Sequence, residues 1–392
     1  MLFYNLEIEK DQRTNPTLFW NVDLLSPSRV AGTVPLRVIN NMLLTRGSFS
    51  TTDFDMQMYG DTLEIVDGTI TNDASGKITL TGSTTQHTLK GAYAATNQSF
   101  GHVDLNNTNG VKLLSDIKAT DVTLTAANTL FNLDVYNLEV TNSINGWSST
   151  KYFLTADNGS DGGLTLHFTL TGNYAANTLV ATFPVGTSSG YSRAEIYIDG
   201  YDFGATSING SVQITPVNSE HPGAPTPTPA NSATAYYWVL EQTGFDAVPV
   251  NQTIYRFYVP GGVTIYGSAQ GLINNNWIRT DTDEGGLIRF NEASNGLVSG
   301  EFTSGNPGQF NNRRTIYSRN AGPMVFMNRN SWSDAGHAGA RINNTPQPTD
   351  ICIVGNGHRM NAFNTDVEVA KIIFSHDTTG ASGIVTKNNL GY

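Results

Sequence analysis

This sequence predicts an all-β chain: a right-handed parallel β-helix (β-solenoid) segment, then an Ig-like β-sandwich, then the start of another β-solenoid segment. Three observations carry that expectation. Apolar and polar residues alternate with period two in many short segments, as in "KITLTG" and "DVTLTA". The alternation puts Ile78 with Leu80, and Val122 with Leu124, on one side of a strand, while Thr79 and Thr123 point away. Gly, Asn, Asp and Thr stand at the corners between segments, and helix signals are nearly absent. Finally, an aromatic-Asn-Leu-Glu-aliphatic phrase occurs twice, "FYNLEIEK" from Phe3 and "VYNLEVTN" from Val135. Such an echo is expected where equivalent strands of stacked coils recur.

Composition bounds the rest. At 392 residues and about 150 residues per domain, two or three domains are expected. Only 14% of residues are charged, against about 25% in ordinary domains. With 39% hydrophobic and 10% aromatic residues, the chain has ample surface to bury, which excludes wholesale disorder. A net charge of -11 and a pI near 5.0 repel nucleic-acid phosphates, and no basic stripe offsets them. Cys352, the single cysteine, cannot form an intramolecular disulfide; in "DICIVG" it reads as a small buried apolar residue. No run approaches the ~20 apolar residues of a membrane-spanning helix, and the N-terminus lacks the plan of a signal peptide. Because "MLFYNLEIEK" begins inside a strand pattern, the chain reads as a piece of something longer.

Residues 1 to 145 carry the first solenoid segment, with Leu6, Ile8, Ile78, Leu80, Val122, Leu124, Leu138 and Val140 expected inward. A period of about 20 to 25 residues implies six coils, and at ~4.8 Å per strand a rod of roughly 29 Å. Residues 146 to 262 carry the sandwich, whose longer strands include "ATAYYWVLEQTGF" with Trp238 expected in the core. The run "HPGAPTPTPA" cannot join a ladder and is an extended loop of that domain. Residues 263 to 392 are a strand-rich connector and the start of the second solenoid segment, around "DICIVGNGHRM" and "VEVAKIIFSHD".

The segment "TFPVGTSSGYSRAEIYIDG", with Phe183 to Gly186, His221 with Pro222, and Tyr237 with Trp238, resembles a β-sandwich module of large secreted surface proteins and adhesins of the Bacteroidota type, substrates of the type IX secretion pathway. "SWSD", "PQPTDICIVGNGHRM" and "VEVAKIIFSHDTTGASG" are similar to the phrases that open solenoid segments there. The resemblance covers about two thirds of the chain and implies an extracellular, cell-surface location.

Candidate chemistry is sparse. "GTSSG" around Ser188 matches the nucleophile-elbow pattern, but a strand follows where that motif needs a helix, so Ser188 reads as a loop serine. The acidic turns "DNGSDGG" and "DTDEGG" offer Asp157, Asp161, Asp281 and Asp283 as weak calcium candidates, with plain β-turns the favoured reading. No other cofactor is implied. Seven histidines, His87, His102, His167, His221, His337, His358 and His376, stand singly without metal-ligand spacing. Tyr236, Tyr237, Trp238, Tyr255, Phe257 and Tyr258 could form a sugar-stacking platform, but alternating sandwich core accounts for most of them, whereas Trp277 and Trp332 lie in polar stretches and are the weak ligand-binding candidates. The first 145 residues hold no stacked group of acids such as polysaccharide-cleaving solenoids use, so the expectation is no enzyme.

Together these readings anticipate a non-catalytic structural stalk or adhesin segment that holds binding surfaces away from a cell. Its partners would be neighbouring modules of a longer chain, other copies, or surface glycans, with no nucleic acid and no membrane insertion. A carbohydrate-binding or carbohydrate-cleaving β-helix protein is the alternative, and a phage-fibre element a more distant third.

Overall fold

The computed structural model describes residues 2–8, 21–23, 35–51, 55–72, 76–82, 84–91, 99–156, 162–222, 234–246, 248, 253–261, 269–273, 276–279, 287–292, 297, 299–305, 315–319, 323–333, 336–339, 341–342, 345–346, 350–362, 367, 369, 371–375 and 384–386. Among them strands dominate, and the one helical turn is a 3-10 turn at Arg329–Ser331.

The first region is a parallel β-solenoid. Met56–Met58 lies between the first half of Leu36–Leu44 and Ile78–Gly82, and His102–Asn107 follows on the same face. The numbers along one column of partners, Leu36, Met56, Ile78, Val103, Val122 and Ile144, advance by 19 to 25 residues per coil. The neighbouring column, Val38, Met58, Leu80, Leu105 and Leu124, is completely buried. A second face is eight strands deep: Leu2–Ile8, Leu36–Leu44, Thr62–Ile65, His87–Lys90, Val111–Leu113, Leu130–Asp134, Tyr152–Thr155 and Val185–Thr187. Seven steps at the ~4.8 Å strand spacing make it about 34 Å long. Burying each inward Leu or Ile contributes about 1.5–3 kcal/mol, so the columns are the main adhesive of the stack.

Outside, charges pair from coil to coil: Lys90 with Glu64 at 2.7 Å, Lys77 with Asp104 at 2.8 Å, Lys112 with Asp134 at 2.9 Å and Lys118 with Glu139 at 2.9 Å. Corners bring backbones together. A Cβ on Gly110, at φ 77°, would lie 2.4 Å from the Leu130 carbonyl oxygen of the next coil, so only glycine fits there.

The coil stack runs on past residue 145. Leu164–Leu170 pairs in parallel with Leu138–Asn145 and, on its other edge, antiparallel with Ile208–Val217. That sheet continues through Tyr237–Thr243, Gly300–Ser304, Ala269–Ile273 and Asn276–Arg279. A separate antiparallel sheet of Thr178–Phe183, Ala194–Ile198, Thr253–Tyr258 and Leu287–Glu292 packs against it. The layer between them is aromatic: Trp238 lies 5.1 Å from Phe257, and Phe302 lies 5.1 Å from Phe257 and 5.2 Å from Tyr255. The buried Trp238 Nε1 donates to the Ser192 carbonyl at 3.2 Å. Strands expected in a connector after residue 263 thus belong to these two sheets; antiparallel pairing over long separations leaves no local mark in the sequence.

A further parallel stack holds Thr315–Ser318, Ile351–Val354 and Lys371–Phe374 on one face and Pro323–Val325, Arg359–Asn361 and Ile384–Thr386 on another. Its own core contains Ile316, Phe326, Trp332, Cys352, Val354 and Met360.

Of the residues expected inward, Ile8, Ile78, Leu80, Val122, Leu124, Leu138 and Val140 are buried, and Leu6 is half-buried in the first described coil. The twin phrases do not occupy equivalent strands. Leu6 stacks on Met42 of the second face, whereas Leu138 stacks on Ile117 and Leu164 of a third. What they share is a corner function: Asn5 Oδ1 accepts from the Asn41 backbone N–H at 3.3 Å, and Asn137 Oδ1 from that of Gly163 at 3.0 Å, each in an adjacent coil.

Candidate functional site

The two outer faces of the paired sheets carry the side chains with chemistry to offer. On the first, Tyr237 and Glu301 stand on strands Tyr237–Thr243 and Gly300–Ser304, and Trp277 on Asn276–Arg279. His221, in the loop after Ile208–Val217, lies among them. Its ring sits edge-on to Tyr237 at 4.7 Å and to Trp277 at 4.9 Å, and its Nε2 bonds the Glu301 carboxylate. That hydrogen bond holds the Glu301 carboxyl below the usual carboxylate range, against the opposing effect of burial. Burial, and then the Glu301 charge, push the Tyr237 hydroxyl upward. His221 is only 3% exposed, so the arrangement fastens the loop to the sheet and half-buries Trp277 against it.

The opposite face, on the four-stranded sheet, is built by alternation. In "RAEIY" and "IYRFY", Ala194, Ile196, Tyr255 and Phe257 pack inward, which turns Arg193, Glu195, Tyr197, Arg256 and Tyr258 outward. Glu195 and Arg256 are register partners, and Tyr258 N–H donates to the Arg193 carbonyl at 3.0 Å. Each guanidinium lies over a phenol ring, Arg193 over Tyr258 at 4.0 Å and Arg256 over Tyr197 at 4.1 Å. The Glu195 carboxylate accepts from the hydroxyls of Tyr197 at 2.8 Å and Tyr258 at 3.0 Å and faces Arg193 Nε at 3.2 Å. Burial, then the hydrogen bond to Glu195, push Tyr197 up to about 12; burial does the same to Tyr191 beside Arg193. Arg256 Nε is buried without a hydrogen-bond partner.

The residues singled out from sequence fare differently. Asp157, Asp161, Asp281 and Asp283 lie outside the described residues. Trp277 joins the His221 cluster. Trp332 is corrected: it is fully buried, packs on Phe326 at 4.9 Å and donates from Nε1 to the Phe326 carbonyl at 2.6 Å, so it has no face for a ligand. A tryptophan between polar neighbours is still the largest apolar group available to a thin core, which local polarity conceals. Of the six aromatics grouped from sequence, Tyr236, Trp238, Tyr255 and Phe257 are core, while Tyr237 faces His221 and Tyr258 faces Glu195 on the outer sides. Ser188 lies in the turn between Val185–Thr187 and Gly190–Tyr191, which form a hairpin. It lines a depression of about 350 Å³ with Asn132, Asp134, Val135, Leu154, Thr155 and Ala156, a lining that contains no imidazole to activate a serine.

His337 and His358, expected to stand singly, are brought together with ring centroids 5.1 Å apart. Both address one residue: the Ser318 carbonyl accepts from His337 Nδ1 at 2.6 Å, and Ser318 Oγ hydrogen-bonds His358 Nδ1. Burial, and then the His337 charge, hold His358 below its ordinary value. Among the described residues no three His, Cys, Asp or Glu side chains are grouped to hold a metal ion. Sequence reasoning missed Arg193, Glu195 and Arg256; the available signal was charge at alternate positions of strongly apolar strands.

No family model matches this chain, and comparison with curated proteins and with solved structures found no match.

Proposed function

We propose that the chain is a non-catalytic structural stalk or adhesin segment of an extracellular cell-surface protein of the Bacteroidota type IX secretion kind, in which the Ig-like sandwich presents a surface and the coils space it from the cell. The observation that carries this reading is the double role of Leu164–Leu170. One edge closes the coil stack in parallel, and the other opens the antiparallel sheet. Coils and sheets share one hydrophobic core, from Ile8 through Leu105 and Phe153 to Trp238. A load applied to one is therefore borne by hydrogen bonds and packing that continue into the other, as a spacer requires. The sequence resemblance supports the location and the secretion route. Antibody raised against the whole chain should label intact cells of the source organism as strongly as permeabilised ones, and protease applied to intact cells should remove the signal. Labelling that needs permeabilisation overturns the proposal.

The Arg193–Tyr258 and Arg256–Tyr197 face favours carbohydrate binding as the second reading, because it sets planar cationic donors beside aromatic rings on one side of the sheet.

A further inference from the structure

We propose that the outer face of the four-stranded sheet binds an acidic polysaccharide, taking the carboxylates of its sugar units between Arg193 and Arg256. The chain carries a net charge of -11, yet this face gathers cations. Arg193 and Arg256 stand on adjacent strands. The one acid among the outward residues of the two central strands, Glu195, already serves two tyrosine hydroxyls and Arg193. Arg256 has no carboxylate in ion-pair range among the described residues, and its buried Nε has no partner.

The geometry selects the ligand further. A guanidinium stacked on a phenol ring is held in plane, and its free edge then presents parallel N–H donors that match a carboxylate. Arg193 keeps 30% of its side-chain surface exposed, while its Nε is buried. Two cations on one side of the sheet suit a polymer with carboxylates and many hydroxyls.

The proposal is independent of the stalk reading, because it is tested on the purified whole chain. Binding is measured by titration calorimetry against polygalacturonate, with neutral dextran, dextran sulfate and poly-glutamate as the other probes, at low and at 0.3 M salt. Expected are binding of polygalacturonate that weakens with salt, none of dextran, and weaker binding of dextran sulfate and poly-glutamate. Arg256→Gln and Arg193→Gln should each weaken binding about tenfold, and the double variant should abolish it. Arg256→Lys keeps the charge but loses the planar fork, and should fall between wild type and Arg256→Gln. Melting curves of the variants establish that they fold; should Arg256→Gln not fold, Arg193→Gln and Arg256→Lys still decide. No binding of polygalacturonate, binding unchanged in the folded variants, or equal binding of poly-glutamate or dextran sulfate overturns the assignment.

Discussion

The coil stack and the paired sheets are joined by one strand, but they are stabilised differently. In the coils each inward residue meets residues about 20 positions away, so Leu80 packs between Met58 and Leu105 and every coil repeats the same small problem. The core there is mostly aliphatic, with single phenylalanines such as Phe49 and Phe100 set into it, and charges outside join neighbouring coils, as Lys90 joins Glu64. In the sheets the partners are remote in sequence: the Gln242 backbone N–H donates to Ser299 Oγ, 57 residues on, and His221 meets Glu301, 80 residues on. Their core is a cluster of aromatic rings around Trp238. The difference teaches that a repeating fold distributes stability evenly along the chain, whereas paired antiparallel sheets concentrate it in a few large side chains.

The largest expected effect tests that concentration. Trp238→Ala removes the central ring and should cost about 3–5 kcal/mol, measured by denaturant unfolding. Leu105→Ala, in the middle of the coils, should cost about 2–4 kcal/mol. Because both residues belong to one core, each variant should lower the same cooperative transition. Two separate transitions, one moved by each variant, would break the picture of joined regions.

Asp104 sharpens the coil side. It is nearly buried, with its carboxylate bonded to Lys77 Nζ at 2.8 Å and to Thr125 Oγ1 at 2.5 Å. Asp104→Ala should cost about 2 kcal/mol. By contrast Lys90, 48% exposed in its pair with Glu64, should lose under about 1 kcal/mol on replacement by Ala. Equal effects for the two would mean that burial does not set the worth of these coil-to-coil pairs.

The last prediction turns to pH and to the second stack. His358 is held below its ordinary value of 6.5 by burial and by His337, so the unfolded chain takes up the proton first. Its contribution is complete above pH 6.5 and is lost as pH falls through the folded value. Melting of the whole chain between pH 7.5 and pH 5 should therefore show this stack weakening with acid. His337→Asn, which removes the neighbouring charge, should make that slope shallower. An unchanged slope would mean that the 5.1 Å approach of the two rings has no electrostatic consequence.

How much was legible before the structure follows from the same contrast. Period-two alternation identified the inward residues Ile78, Leu80, Val122 and Leu124, because a side chain's face on a strand is a local property. It could not say which face of the coil a strand belongs to, and so the Leu6 and Leu138 phrases looked equivalent when they are not. It did not separate Tyr258 from its core aromatic neighbours, although parity with Arg256 puts both on the outer side. The meeting of His337 with His358 depends on a turn after Ile351–Val354 reaching back to Ser318, which no spacing rule contains.

The sequence by itself determined an all-β chain, the coil period, the inward columns and the burial of Cys352 and Trp238, since each depends on residues within a few positions of one another or on a regular repeat. Only the tertiary structure decided where coils end and sheets begin, the burial of Trp332 and the gathering of Arg193, Glu195, Arg256 and their tyrosines on one face. Those depend on antiparallel pairing and on turns that close over long separations. The free energy of such contacts belongs to pairs of segments, and no single segment carries it.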